Sequence, residues 1–315
     1  MATWPSLPLL IVYWLTYVGI GKPLQKVTVP LLDVLNYPRP DGTPQVSVVI
    51  LSSATFTGTP ENFAPPYLTI DDGVLAELMP RPGQTMSNVR LLQNAGIRVL
   101  LGVVCAKQMG WDNISPAQNQ DFANWVKSEV LDRYGLDGVD IDDEFCDVPY
   151  DPQGLVDTIG ALRLAAPDTL ITKALWSDGD YFTLPVSSGP NAGAYLGQLL
   201  DIGSSMDYGD FEGAPGLEQF TAAYTNIPVG GRNVGMTPSQ LCIGVQAGVG
   251  NWMTTLANTQ AVSAWVAQNG YLGIMLYTFS QDIQQWTHQP QNSPGYMFPN
   301  PGDHEWQKAI IASML

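Results

Sequence analysis

Along most of the chain, short apolar runs alternate with segments whose apolar residues recur at helical spacing. Leu9 to Trp14, Val46 to Phe56 and Ile97 to Val104 read as strands buried on both faces, the pattern of a parallel sheet covered by helices. Met86 to Ala95 reads as a helix stopped by Gly96, just ahead of the third run. Pro116 to Asp132 is predicted as the next helix, capped by Ser115, with Gln118 completing a capping box and Phe122, Trp125, Val126 and Val130 on its apolar face. A helix over Gly154 to Ala165, a strand over Leu170 to Trp176, a short helix over Ala194 to Leu200 and a strand over Ser204 to Tyr208 continue the series. Leu241 to Val245, Ala257 to Gln268 and Gly273 to Tyr277 add strand, helix and strand, and Trp306 to Leu315 forms an amphipathic closing segment. With the acidic stretch after Gly135 the strands number about eight, which predicts an α/β fold. The expected architecture is a single (β/α)8 TIM barrel domain over 1–315, with some helices irregular or missing. Pro30 to Pro44 has only weak helical character, and Gly58 to Pro66 is a Pro-rich loop of the kind that shapes a site.

Asp137 to Glu144 sets five carboxylates around Val139 and Ile141. On a strand, Asp140, Asp142 and Glu144 face one side, and Val139, Ile141 and Asp143 the other. Carboxylates about 7 Å apart on one partly buried face retain at least one proton near neutral pH, which suits a general acid. Glu144, closest to the strand's C-terminal mouth, is the expected proton donor, with Asp142 as its charged or proton-sharing partner. A divalent-metal cage and a solvated acidic loop are the competing readings. Alternation with Val139 and Ile141 speaks against the loop, and the scarcity of His speaks against a transition metal.

The stretch resembles the signature of glycoside hydrolase family 18, Asp-Gly-x-Asp-x-Asp-x-Glu, whose fixed positions are met by Asp137, Gly138, Asp140, Asp142 and Glu144. Its flanks, Tyr134-Gly135-Leu136 and Asp143-Glu144-Phe145, resemble the bacterial endoglycosidase H type, the endo-β-N-acetylglucosaminidases acting on N-glycans. The resemblance implies hydrolysis of the β-1,4 bond of the di-N-acetylchitobiose core by a retaining reaction. Because Asp142 and Glu144 lie along one strand and flank no bond, the substrate's own N-acetyl oxygen is the expected nucleophile. Glu144 would then protonate the glycosidic oxygen and later activate water, Asp142 would orient the acetamide, and Asp140 would tune Asp142. By the same resemblance Tyr208 would hydrogen-bond the acetamido group.

The pattern departs from the family at two places. Met206-Asp207-Tyr208-Gly209 has Gly where the family often has Asp, and Asp210 is the candidate to take over part of that role. Tyr277-Thr278-Phe279 stands where chitinases usually carry a Trp, which favours the endoglycosidase branch. The rival substrate is chitin or a chito-oligosaccharide. The rival class is a chitinase-like lectin that binds sugar without cutting it, although such proteins commonly lose the catalytic Glu that this chain keeps as Glu144.

Barrel enzymes keep ligand contacts at the C-terminal ends of their strands, which makes Tyr13, Phe56, Gln108, Trp111, Trp176 and Tyr277 candidate sugar contacts. Trp176 reads equally as a core residue. A formal charge of -16, with 29 acids against 13 bases, speaks against a polyanionic partner. The expected partner is an N-glycan or glycoprotein, not nucleic acid or a membrane, and the protein is expected to be a monomer with no cofactor and no metal. Cys105, Cys146 and Cys242 form no close metal-ligand pair and are expected as free thiols. A bridge between Cys105 and Cys146, at neighbouring strand ends, is open to them in an oxidising compartment. The N-terminus has no basic region or small-residue cleavage pattern, so a cytoplasmic protein, or a secreted one with its leader removed, is expected. Asn113-Ile114-Ser115 matches a glycosylation sequon, and His288 and His304 lie too far from the acidic strand in sequence to support a Ser-His-Asp arrangement.

Overall fold

The structure, a computed structural model, describes residues 8–18, 25–26, 29–105, 109–144, 146, 149–176, 179–206, 208, 213–248, 253–283 and 303–314. Eight parallel strands form a closed ring: β1 (Leu9–Leu15), β2 (Val48–Phe56), β3 (Arg98–Val104), β4 (Gly138–Asp142), β5 (Leu170–Leu175), β6 (Ile202–Ser205), β7 (Leu241–Gln246) and β8 (Gly273–Tyr277). Each pairs with the next in sequence, and β8 returns to β1. This is the predicted TIM barrel.

The two-sided apolar strands divide into two layers. Leu9, Ile11, Tyr13, Val48, Ile50, Leu100, Leu170, Ile202, Cys242 and Met275 pack together inside the ring. The alternating residues, such as Leu10, Val12, Val49, Leu101, Val139 and Ile141, pack outward against Val89, Phe122, Leu155, Val262 and Trp306 of the surrounding helices. Strand alternation of this kind sends β4's acids inward and its β-branched residues outward. Gly138 is needed where β4 enters the ring, since a Cβ there would stand 2.0 Å from the Leu170 carbonyl oxygen.

The crossovers are uneven, as expected. Among the described residues, the β1–β2 connection holds the short antiparallel pair Tyr17–Val18 and Gln25–Lys26 and a 3₁₀ turn, Leu31–Leu35, and β5 connects to β6 through the short helices Gly179–Thr183 and Leu196–Leu199. Two short helices, Asp72–Leu78 and Asn88–Asn94, join β2 to β3, and longer ones follow at Pro152–Ala165, Gly213–Thr225 and Leu256–Gln268, the last packed against the closing helix Glu305–Met314. Pro152–Ala165 is capped by Asp151, which accepts from the Gln153 and Gly154 amides at 3.1 Å. The helix expected from Pro116 starts only at Asn119: Ser115 Oγ donates to Gln118 Oε1 at 2.7 Å, so the predicted capping box is not made. Its second half, Val126–Asp132, widens into π-type turns. The loop after β2 returns as Leu68–Ile70, antiparallel to β2, with Phe63 buried beneath it.

None of the helices among the described residues is long and apolar enough to cross a membrane. His288 falls outside the described residues, whereas His304 is buried near the start of the closing helix, with Nδ1 3.1 Å from Gln307 Oε1.

Candidate active site

Asp140 is fully buried inside the ring. Register decides its partners: across β4 and β5 it stands opposite Thr172, whose Oγ1 donates to Asp140 Oδ1. From β1, the Tyr13 hydroxyl donates to Asp140 Oδ2 at 2.6 Å. Burial raises the Asp140 carboxyl above its ordinary range, while these two hydrogen bonds and the Lys173 ammonium pull it back. Lys173 is itself buried, its Nζ donating to the Ala174 carbonyl at 2.9 Å.

Asp142 ends β4 at the mouth. Its carboxyl is raised well above the ordinary range, first by burial, then by the charge of Glu144 and then by Asp140. Asp142 therefore holds its proton to higher pH than an ordinary carboxyl does. Asp142 Oδ1 is buried and has no hydrogen-bond partner among the described residues. An acceptor in that condition is costly unless something arrives to donate to it. Glu144 does not share a strand face with the two aspartates, because β4 stops at Asp142 and Glu144 stands in the irregular segment beyond it, half-buried. The electrostatic coupling of Glu144 to Asp142 nevertheless keeps the two acids in one group.

Aromatic rings surround the pair. Tyr277, ending β8, stacks on Tyr208 with centroids 5.6 Å apart and meets the edge of Tyr13 at 5.7 Å. Tyr208 lies past the end of β6 instead of within it, and burial followed by Tyr277, Asp142 and Glu144 raises its phenol well above the usual value. The mouth therefore holds neutral hydroxyls beside a partly protonated carboxyl group, in a low-dielectric setting. Such an arrangement can donate a proton and stabilise positive charge without solvent competition. Trp176, just past β5, is 57% exposed, which removes its reading as a core residue.

Two predicted sugar contacts are elsewhere. Phe56 and Trp111 are buried in an aromatic cluster outside the ring with Phe122, at centroid separations of 5.4 to 5.7 Å, and the Trp111 indole N–H donates to the Val103 carbonyl at 3.0 Å. The cause is a register shift between Ser52 and Ala54 in β2, which turns Ala54 and Phe56 to the outer layer while Val48 and Ile50 stay inside. Gln108 and Asp210 lie outside the described residues.

The cysteines also correct expectation: Cys105 and Cys146 form a disulfide that ties the segment after β3 to the segment after Glu144, and buried Cys242 is the free thiol. Sequence reasoning did not find Thr172, although the alternation of β5 carried the signal, nor Tyr181, whose hydroxyl lies 3.3 Å from Asp143 Oδ2. Nothing in local sequence marked Tyr181.

No family model matches the chain. An endo-β-N-acetylglucosaminidase of Flavobacterium sp. (strain SK1022) is 35% identical over 130 residues, which covers 39% of this chain and 37% of that protein. EndoBT-3987 of Bacteroides thetaiotamicron, solved with a Man5GlcNAc product, superposes with a TM-score of 0.59 at 22% identity, covering 87% of this chain and 56% of that one. The chain thus spans little more than a third to about half the length of these relatives. A family 18 chitinase of Pseudoalteromonas aurantia matches almost end to end, 97% of this chain and 99% of that one, with a TM-score of 0.59 at 21% identity. These likenesses show a shared (β/α)8 barrel fold. Within this barrel the stretch Asp137 to Glu144 supplies Asp140 and Asp142 to the interior and Glu144 to the rim.

Proposed function

We propose that the protein is a glycoside hydrolase, an endo-β-N-acetylglucosaminidase that cleaves the β-1,4 bond between the two GlcNAc residues of an N-glycan core. The observation that carries this reading is the buried Asp142 Oδ1, unpartnered among the described residues, beside the Tyr208–Tyr277 stack. An acceptor of that kind suits the N–H of an acetamide, and aromatic rings suit a sugar's apolar face. Asp142 would turn the acetamide oxygen toward the anomeric carbon and stabilise the positive charge it acquires, while Glu144 gives its proton to the departing oxygen. Attack by the acetamide explains why no second carboxyl group is needed at the roughly 5 to 5.5 Å spacing of a direct nucleophile. In the second half-reaction Glu144 takes a proton from water, which opens the oxazoline with net retention. Asp140, Tyr13 and Thr172 hold Asp142's surroundings fixed.

The Flavobacterium relative and the product carried by the Bacteroides structure support the N-glycan substrate. The end-to-end likeness to a chitinase keeps chito-oligosaccharides as the second reading. Mass spectrometry of a high-mannose glycoprotein incubated with wild type and with Glu144→Gln tests both. Wild type alone should leave a single GlcNAc on asparagine; release of GlcNAc oligomers from chitin instead would favour the chitinase, and sugar binding without turnover the lectin.

A further inference from the structure

Outside the catalytic group, the ends of β3 and β4 bring four ligand-type side chains to one place. Cys105 and Asp112 follow β3, and Asp143 and Cys146 follow β4. One ligand atom each from Cys105, Asp143 and Cys146 falls within 4.8 Å of the others, and Asp143 Oδ1 lies 2.9 Å from Cys105 Sγ and 3.9 Å from Cys146 Sγ. Asp112 is 4% exposed; its Oδ2 accepts from the Asp151 amide at 3.0 Å, but its buried Oδ1 has no partner among the described residues. Gly110 leaves the gap between them: a Cβ there would stand 2.5 Å from each sulfur and 3.2 Å from Asp112 Oδ1. That oxygen and the two sulfurs therefore border the same gap.

We propose that when the Cys105–Cys146 disulfide is reduced, Cys105, Cys146, Asp143 and Asp112 form a binding site for a thiophilic divalent cation of the zinc type. Two thiolates and two carboxylates are a fitting donor set for a tetrahedral ion, at about 2.3 Å from sulfur and 2.0 to 2.2 Å from oxygen. In the first step the disulfide accepts two electrons and two protons from a dithiol, which is itself oxidised to a disulfide. The cation then displaces the two thiol protons as it binds. The site uses none of the side chains assigned to sugar cleavage, although Asp143 adjoins Asp142 and Glu144 in the chain, and its occupancy is exclusive with the disulfide.

The test uses cobalt(II) as probe on the whole protein, reduced with a dithiol and desalted without oxygen, against the oxidised protein. The reduced form should take up one equivalent with a thiolate-to-cobalt charge-transfer band in the near ultraviolet, displaced by zinc, while the oxidised form gives no band. In the reduced state, Cys146→Ser should lose the band, Cys242→Ser should keep it, and Asp112→Asn should weaken binding by more than the roughly 10- to 100-fold that loss of a supporting group costs. Gly110→Ala, checked for folding by circular dichroism, should exclude the ion because it fills the gap. No band in reduced wild type, or an undiminished band in Cys105→Ser, would overturn the proposal.

Discussion

Tyr13 and Asp140, 127 residues apart in the chain, share a 2.6 Å hydrogen bond across the barrel interior. The phenol is kept protonated by burial and then by the charges of Asp140 and Asp142, so it remains a donor throughout the working pH range. It is one of two hydroxyls that hold the buried Asp140 carboxylate down against desolvation.

Removing that donor should therefore act on both stability and titration. Tyr13→Phe is expected to lose about 1.5 to 3 kcal/mol, the usual worth of a hydrogen bond to a charged group. Asp140 should rise further, and the acidic limb of the pH–rate profile should move upward with it. A profile superimposable on wild type would mean that Asp140 does not influence the catalytic group.

Asp282, after β8, is fully buried and accepts the Trp306 and Gln307 amides, both at 2.9 Å, at the start of the closing helix. Burial raises its carboxyl to about 7. Because the folded value lies above the unfolded one, its contribution to stability is complete below about pH 4 and is lost as pH rises through about 7. In Asp282→Asn this dependence should disappear, leaving a loss of about 1 kcal/mol from the weakened cap. Urea midpoints at several values between pH 4 and 8 check it: equal slopes in the two proteins would refute the assignment.

The Cys105–Cys146 bridge closes a separation of 41 residues, worth about 4 kcal/mol on the chain-entropy account. Cys146→Ser should lower stability by up to that amount. Since Cys146 lies two positions beyond Glu144, turnover should fall more than substrate affinity. Glycan-release kinetics on folded variant would expose the opposite pattern if the bridge served stability alone.

Trp176→Ala should leave stability within about 0.5 kcal/mol, as for other exposed positions. If the ring stacks on sugar, KM should rise roughly 2- to 10-fold, with kcat little changed. An unchanged KM on a high-mannose glycopeptide would take Trp176 out of the binding face.

The barrel was legible because its cause is local: strands apolar on both faces, separated by helical periodicity, have few other ways to bury themselves. Asp140 and Asp142 were legible for the same reason, since strand alternation fixes their common face whatever lies opposite. Tertiary structure alone decided what meets that face. Closure of β8 onto β1 brings Tyr13 and Tyr277 to the acids of β4, and the register of β5 selects Thr172. Pairing of β3 with β4 likewise brings Cys105 to Cys146, a bridge for which sequence offered only proximity of strand ends. Phe56 was misread because alternation holds only while register holds, and the shift after Ser52 reverses which side every later residue of β2 faces. Glu144 was placed on the strand because nothing local marks where pairing stops. β4 ends at Asp142, where the last register partner, Val104, ends β3, so Glu144 stands on the rim beyond the ladder.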